Sequence, residues 1–166
     1  MLHKQTKTYL LLGSNMGDSS KMIEIAKKNI SLKIGEIVRS SSLYKTAAWG
    51  KKGQPDFLNQ VIVVVTNQSP EKLMKTILEI ESKMGRVRKE KNEARKIDID
   101  ILFYDKAIIN SPKLIVPHPL LHKRKFVLKP LNELSPQFKH PTLAKTVHTL
   151  LHLCKDSLTV EKKQTN

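Results

Sequence analysis

Apolar and polar residues alternate along the chain with two periods, and these periods predict where strands and helices lie. A β-type run covers Thr8–Leu12 and stops at Gly13. Asp18 or Ser19 then caps a helix. The apolar residues of this helix recur at helical spacing and are Met22, Ile23, Ala26 and Ile30. The chain therefore begins with a strand followed by a helix.

Two strands are predicted after the first helix. Gly35 opens a stretch rich in β-branched residues and serine that runs to about Thr46. Phe57–Thr66 is dominated by Val and Ile and is the clearest strand in the sequence. The connection between them, Ala47–Asp56, is too long for a simple turn, and loops of that length are usually functional or disordered.

A second helix and a further strand follow. Ser69 caps the helix, Pro70 stands at its first position, and Gly85 is placed to end it in the left-handed conformation. The apolar stripe of this helix consists of Leu73, Ile77, Leu78, Ile80 and Met84. After a second long connection, Arg86–Lys96, the run Ile97–Tyr104 predicts another strand.

The order β-α-β-β-α-β predicts an α+β protein with a ferredoxin-like core. In this split βαβ arrangement a four-stranded antiparallel sheet is covered by helices, here as an α-β-α sandwich. A C-terminal extension adds a turn-rich segment from Val116 and a helix from about Thr142 to Leu153. The sequence has no internal repeat and no low-complexity segment, so we expect one domain over residues 1–166.

Composition places the chain among ordinary globular proteins. It has 166 residues, of which 39% are apolar and 27% charged, outside the range of disordered chains. The longest apolar runs, Tyr9–Leu12 and Val61–Val65, are far too short for a membrane span or a signal-peptide core. We therefore expect a cytoplasmic protein, a monomer at this size. The single cysteine, Cys154, is expected to be a buried thiol.

The charge of the chain predicts an anionic partner. The formal net charge is +15, which is compatible with nucleic acid, nucleotide phosphates or anionic lipid. One basic segment, Lys83–Lys96, carries seven Lys or Arg against two Glu, and a second lies in Lys123–Lys129. These segments flank the strand that contains Asp98 and Asp100.

Asp98 and Asp100 are the most informative residues. They alternate with Ile97, Ile99 and Ile101, so in a strand the isoleucines share one face and the aspartates share the other. Cα atoms two residues apart lie about 6.5–7 Å from each other, which allows the two carboxylates to hold one Mg²⁺ or a pair of ions. The alternative is a solvated strand face that carries two acids.

Three arginines lie on the loop that leads into this strand, namely Arg86, Arg88 and Arg95. The guanidinium group presents a planar fork of donors that suits phosphate oxygens. Metal-binding acids beside arginines are typical of a triphosphate site. The alternative is a basic loop that extends into solvent by self-repulsion or binds nucleic acid without specificity.

Two other residues leave alternatives open. His118 stands between Pro117 and Pro119 in a stiff backbone, and it is either a structural histidine or a ligand-binding one. Trp49, on a glycine-rich loop, either stacks on a flat ligand or anchors the loop. The phosphate loop, the dinucleotide-binding fingerprint and the nucleophile elbow are all missing from the sequence.

Six motifs in order resemble the 6-hydroxymethyl-7,8-dihydropterin pyrophosphokinase family of the folate pathway. The motifs are Gly13-Ser14-Asn15, Gln54-Pro55-Asp56-Phe57-Leu58-Asn59, Gly85-Arg86-Val87-Arg88, Arg95-Lys96-Ile97-Asp98-Ile99-Asp100-Ile101-Leu102, Val116-Pro117-His118-Pro119 and Arg124-Lys125-Phe126-Val127-Leu128. The resemblance covers about residues 8–153, and the two ends outside it are expected to be mobile.

The resemblance implies transfer of diphosphate from ATP to the hydroxymethyl group of the pterin, with release of AMP. It implies that Asp98 and Asp100 bind two Mg²⁺ ions and act in catalysis together with Arg86 and Arg95. It implies ATP contacts from Glu81, Arg88, Lys113, His118 and Arg124. It implies a pterin pocket lined by Asn15, Thr46, Ala48, Phe57, Asn59 and Phe126, in which aromatic rings sandwich the pterin.

The chain departs from the family pattern on one loop. Many members have Arg-Trp-Gly-Pro-Arg before the paired aspartates, whereas this chain has Lys91-Asn92-Glu93-Ala94-Arg95 in a loop one residue shorter. This departure leaves a regulatory nucleotide binder without activity as one alternative. A basic nucleic-acid-binding domain on the same fold is another, although aspartates on the sheet would repel RNA, so we expect no nucleic-acid partner.

Overall fold

The computed structural model describes residues 4–47, 55–85 and 96–163. The strands in these ranges are β1 (Thr6–Ser14), β2 (Gly35–Ser40), β3 (Tyr44–Thr46), β4 (Phe57–Thr66), β5 (Asp98–Tyr104), β6 (Ile109–Asn110), β7 (Ile115–Val116) and β8 (Val160–Lys162). The helices are α1 (Ser19–Lys33), α2 (Pro70–Lys83), α3 (Lys125–Leu134) and α4 (Val147–Leu153). The predicted βαββαβ order is confirmed.

One antiparallel sheet organises the molecule. Its six strands follow the order β5-β1-β4-β3-β8, and β2 pairs with β4 beside β3. The strand β4 is long enough to pair with β3 through 57–59 and with β2 through 62–66. Strands β6 and β7 form a separate hairpin. Within the described ranges, no helix is long and apolar enough to cross a membrane.

Each face of the sheet has its own apolar core. Leu10 and Leu12 of β1 pack with α1 and α2, whereas Tyr9 and Leu11 of the same strand pack with α3 and α4. This division follows the two-residue period of a strand. The α-β-α sandwich expected from the sequence is therefore confirmed, and each strand residue is assigned to one of two layers.

The predicted helix ends agree with the structure. The side chain of Asp18 accepts from the Lys21 N–H at the start of α1, and Ser69 accepts from the Lys72 N–H at the start of α2. Gly85 has φ +87°, the left-handed conformation that ends α2. Local side-chain chemistry thus fixes these ends as the sequence indicates.

The structure has a helix, α3, where the sequence predicts a turn-rich segment. Pro130 lies inside α3, and a proline in a helix interior removes one backbone hydrogen bond. The apolar stripe of α3 nevertheless packs on the sheet, and its buried members are Val127, Leu128, Leu131 and Leu134. Burial of this stripe outweighs the cost of the proline.

Three further boundaries differ from the prediction. The last helix begins at Val147 and not at about Thr142, because Thr146 caps it and Ala144 has φ +57°. The stretch 35–46 is divided into β2 and β3. The C-terminal end, expected to be mobile, forms β8, which pairs with β3.

Cys154 is partly exposed and packs at the margin of the α3/α4 core, so it is not the fully buried thiol expected from the sequence.

The outer edge of β5 receives a side chain from α2. Among the described strands, β5 pairs with β1 alone. The Ile99 N–H, which points away from β1, donates to Oε2 of Glu81 at 2.8 Å. Glu81 is only 3% exposed. A buried carboxylate thus satisfies a backbone donor at the strand edge and ties α2 to the strand of the two aspartates.

Gly35 brings β2 against β4 so closely that no side chain fits, and Gly35→Ala tests this contact. A Cβ atom at Gly35 would lie 2.0 Å from the carbonyl oxygen of Val65. We expect Gly35→Ala to lower the free energy of unfolding by about 1–3 kcal/mol, because the backbones must separate. Urea unfolding measures this, with Ser40→Ala at the exposed end of β2 as the control. An unchanged midpoint for Gly35→Ala would contradict the close approach.

The Glu81 contact gives a second stability prediction. Glu81→Ala leaves the Ile99 N–H without its acceptor and is expected to cost about 1–3 kcal/mol of unfolding free energy. Glu81→Gln keeps an acceptor oxygen, so its loss should be smaller. Urea unfolding compares both with Glu79→Ala, an exposed position on the same helix. Equal losses for Glu81→Ala and Glu79→Ala would show that the edge contact contributes nothing.

Candidate active site

The two aspartates emerge on the sheet face that carries α3 and α4. Ile97, Ile99 and Ile101 are at most 5% exposed and belong to the core under α1 and α2. Asp98 and Asp100, which alternate with them, are partly exposed on the opposite face. This arrangement confirms the alternation predicted from the sequence. It places two carboxylates side by side, two residues apart on one strand.

A row of residues crosses the sheet from Asp98. Asp98 pairs with Gly13 of β1, Gly13 pairs with Asn59 of β4, and Asn59 pairs with Tyr44 of β3. Neighbouring strands are about 4.8 Å apart, so Asp98 and Asn59 are separated by about 10 Å across a residue with no side chain. Gly13 therefore leaves a gap in this row of side chains between a carboxylate and an amide, and we call this gap the depression and Gly13 its floor.

Asn59 approaches this floor closely and has an unsatisfied donor. A Cβ atom at Gly13 would lie 2.8 Å from Oδ1 of Asn59. Asn59 is 3% exposed, and its buried Nδ2 has no hydrogen-bond acceptor among the described residues. A buried N–H group without an acceptor is costly. This donor is therefore suited to an acceptor on a ligand.

The same end of the sheet carries other residues assigned to the pterin pocket. Phe57 and Thr46 are paired between β4 and β3, next to the pair of Asn59 and Tyr44. Asn15, which follows β1, is 1% exposed and donates from Nδ2 to the carbonyl oxygen of Pro55 at 3.1 Å. These positions surround one side of the depression.

The first turn of α3 faces this region. Phe126 is partly buried against the core under α3 and α4. The guanidinium carbon of Arg124 lies 5.6 Å from the centroid of the Phe126 ring. The C-terminal half of α3 is tied to β3 by Glu133, which accepts from the Tyr44 hydroxyl at 2.7 Å. The helix thus presents one aromatic ring and one cation on the side of the sheet that carries Asp98.

The His118 imidazole interacts electrostatically with both Asp98 and Arg124. Its backbone N–H donates to the Leu102 carbonyl of β5 at 3.1 Å, after a cis Val116–Pro117 peptide. Burial lowers the pKa of the His118 imidazole, the nearby Arg124 guanidinium lowers it further, and the Asp98 carboxylate opposes both effects. The imidazole is therefore neutral at pH 7. The sequence leaves His118 either structural or ligand-binding, and the structure puts it within electrostatic range of Asp98 and Arg124.

Two assigned residues lie apart from this group. Glu81 is on the other side of β5, where its carboxylate contacts the strand backbone. Lys113 is exposed in the turn between β6 and β7, and it makes no hydrogen bond or ion pair with the other site residues in the described ranges. Asp98 is thus related to His118 and Arg124 through electrostatic interaction and to Asn59 through the strand register. Glu81 supports the backbone of the strand that carries Asp98.

Several assigned residues lie outside the described ranges. These residues are Ala48, Trp49, Arg86, Arg88, Asn92, Glu93 and Arg95. Gly85 and Lys96, the described residues on either side of 86–95, approach each other through the Lys96 side chain, since a Cβ atom at Gly85 would lie 3.5 Å from Nζ of Lys96. Lys96 is two residues before Asp98, so these two flanking residues lie near the start of the acidic strand.

The donor set bears on whether a metal fits. Groups of three or more His, Cys, Asp or Glu side chains that could hold a metal are absent from residues 4–47, 55–85 and 96–163. Mg²⁺ is commonly bound by one or two carboxylates, with substrate phosphates and water as its remaining ligands. Asp98 and Asp100 fit Mg²⁺ in this substrate-dependent way.

The sequence did not identify Gly13 as the floor of the depression. In the sequence, Gly13 ends the first β-type run, and Gly13-Ser14-Asn15 is one of the six motifs that resemble the family. The register of β1 against β4 and β5 was needed to show what Gly13 faces, and no local signal in the sequence reports a register between distant strands.

Comparison with known proteins identifies the family. Residues 9–136 match the family model of 7,8-dihydro-6-hydroxymethylpterin-pyrophosphokinase (HPPK). The chain is 39% identical over 132 residues to the 2-amino-4-hydroxy-6-hydroxymethyldihydropteridine pyrophosphokinase of Methylorubrum extorquens, covering 79% of this chain and 84% of that protein. It is 42% identical over 133 residues to the folic acid synthesis protein fol1 of Pneumocystis carinii, covering 80% of this chain.

The relatives differ widely in length, and a solved structure with much lower sequence identity has the same fold. The chain spans only 18% of the Pneumocystis protein. A crystal structure of a Plasmodium falciparum HPPK-DHPS variant superposes with a TM-score of 0.76 at 20% identity, over 90% of this chain and 45% of that one. This similarity shows the fold alone, whereas the family match and the relatives near 40% identity establish family membership. The chain belongs to the 7,8-dihydro-6-hydroxymethylpterin-pyrophosphokinase family.

Proposed function

We propose that this protein transfers diphosphate from ATP to the hydroxymethyl group of 6-hydroxymethyl-7,8-dihydropterin and releases AMP. The observation that carries the proposal is the row Asp98, Gly13 and Asn59 across three adjacent strands. At one end of this row a carboxylate would hold the metal ions of a bound triphosphate. At the other end the buried Asn59 amide would bind the polar edge of the pterin ring. The names of the bacterial relatives support the same substrates.

Asn59 supports the pterin as acceptor substrate. Its Nδ2 is buried without an acceptor among the described residues, so a ligand with an acceptor atom at its ring edge would satisfy it. Phe57 and Phe126 would pack against the two faces of the flat ring. Asn15, Thr46 and Ala48 would line the remainder of the pocket.

Asp98 and Asp100 would hold two Mg²⁺ ions between β5 and the ATP phosphates. Such ions neutralise charge and orient the transferring group when bound. Arg86, Arg88, Arg95 and Arg124 would add guanidinium donors for the phosphate oxygens. We assign Lys113 to the nucleotide as a long-range cation, and Glu81 to the support of β5.

His118 is suited to donating a hydrogen bond. Its Nδ1 accepts from the Leu120 N–H at 3.2 Å, so the proton of the neutral ring is on Nε2. That N–H would donate to a phosphate oxygen.

The reaction requires positioning more than covalent chemistry. The pterin hydroxyl oxygen forms a bond to the β-phosphorus of ATP while the bond from that phosphorus to the α,β-bridging oxygen breaks. The bridging oxygen leaves with AMP, and the hydroxyl proton passes to water. Most of the stabilisation should come from opposite charge around the transferring group.

Removing either carboxylate charge tests the proposed metal site. We expect Asp98→Asn and Asp100→Asn each to lower pterin-dependent AMP release by about 10²–10³-fold, because charge neutralisation is lost. The thermal unfolding midpoint should change little, since both side chains lie partly exposed. AMP release from Mg-ATP is measured with and without the pterin. Asp105→Asn, at the other end of β5, is the matched control.

Three outcomes distinguish the candidate functions. AMP that depends on the pterin and disappears in both variants supports the transferase. ATP binding without AMP release in the wild-type protein would favour the regulatory nucleotide binder. Full activity of both variants would remove Asp98 and Asp100 from the metal site.

Gly13→Ala tests the pterin side of the row. Its Cβ would displace the Asn59 amide, so we expect the KM for the pterin to rise about tenfold with little change in the KM for ATP. Asn59→Ala should raise the same KM, and adding Gly13→Ala to it should have little further effect, because both changes act through one amide. Independent, multiplying effects of the two substitutions would contradict this coupling.

A further inference from the structure

The C-terminal segment after α4 returns to the candidate active site. The family match ends at residue 136, so this segment lies beyond the matched part of the chain. Its strand β8 pairs with β3, and Val160 is opposite Thr46. The Thr46 hydroxyl donates to the carbonyl oxygen of Thr159 at 3.2 Å. One wall of the proposed pterin pocket is therefore backed by the end of the chain.

The same segment reaches the start of α3. The N-cap residue of α3, Arg124, makes no side-chain capping bond. In its place, Oδ2 of Asp156 accepts from the Lys125 N–H at 3.1 Å, and Oδ1 of Asp156 accepts from the Leu158 N–H at 3.0 Å. A carboxylate at a helix N-terminus satisfies a free backbone donor and interacts favourably with the helix dipole. Asp156 thus caps α3 from a distant part of the sequence.

A lysine on α3 completes the connection. Nζ of Lys129, one turn after Lys125, donates to the Val160 carbonyl oxygen at 2.8 Å. The segment 156–160 is therefore bonded to α3 at two points and to β3 through Thr46. It links the strand wall of the pocket to the helix turn that carries Phe126.

We propose that Asp156 is a positioning residue for the acceptor substrate: by capping α3 it fixes Phe126 opposite the β3–β4 edge of the pterin pocket. The inference rests on the proposed function. Phe126 is the second residue of α3, and the first turn of a helix without a cap frays. Small displacements of a substrate-contacting side chain have large kinetic consequences.

The test compares two substitutions at Asp156 with a matched loss of a cap elsewhere. Ser69→Ala removes the cap of α2, which begins at the end of the sheet opposite Asp98. We expect Asp156→Ala to raise the KM for the pterin about tenfold and the KM for ATP less than threefold, whereas Ser69→Ala leaves both within twofold. Asp156→Asn should restore the pterin KM to within threefold of wild type, because an Asn oxygen also caps helices.

A second variant tests whether Asp156 affects the pterin KM through its hydrogen bond to the Lys125 N–H. Lys125→Pro removes the N–H that Asp156 accepts, and proline is well accommodated at the first position of a helix. In this background Asp156→Ala should change the pterin KM by less than twofold. Thermal unfolding is recorded for every variant, and kinetics are measured well below each midpoint.

The outcomes separate this inference from the proposed function. If the wild-type protein releases no pterin-dependent AMP, the proposed function fails and the inference fails with it. If the wild-type protein is active but Asp156→Ala and Ser69→Ala have the same pterin KM, only the positioning role is overturned. A tenfold effect of Asp156→Ala that persists with Lys125→Pro would also overturn it, since capping would not be the cause.

Discussion

The register of β1 between β4 and β5 determines which side chains meet at the candidate active site. It sets Gly13 between Asn59 and Asp98. A slip of one residue would turn these polar side chains into the core under α1 and α2. Burial of Ile97, Ile99 and Ile101 opposes such a slip, since burying each side chain stabilises the fold by about 1.5–3 kcal/mol. The apolar face of β5 thus holds the aspartates in place.

The sheet face under α3 and α4 is aromatic at one end and polar at the other. At one end, Tyr9, Phe103 and Phe138 form an aromatic cluster, with ring centroids of Phe103 and Phe138 4.5 Å apart. A bulge in β5 between the partners of Tyr9 and Leu10 lets Leu102 and Phe103 both enter this core. At the other end the face carries polar groups and a glycine. Anchoring the helices at the aromatic end leaves the polar end available to a ligand.

The parts of this fold that depend on local chemistry could be predicted from the sequence. The alternation around Asp98, the cap at Ser69 and the helix end at Gly85 all agree with the structure. The helix α3 could not be predicted locally, because its stripe is stabilised by packing against β4 despite Pro130. The floor at Gly13 and the cap from Asp156 depend on contacts between residues far apart in sequence, which a periodic pattern does not record.

The structure also bears on whether the His118 imidazole would act in the proposed reaction as a hydrogen-bond donor or as a base. A neutral imidazole can accept a proton only at its unprotonated nitrogen. Nδ1 already accepts the Leu120 N–H, so the tautomer assigned from this bond carries its proton on Nε2. Burial and Arg124 lower the pKa of the ring and keep it neutral at pH 7. A ring in this state donates from Nε2 and does not act there as a base, which favours contact with a phosphate oxygen over removal of the pterin hydroxyl proton.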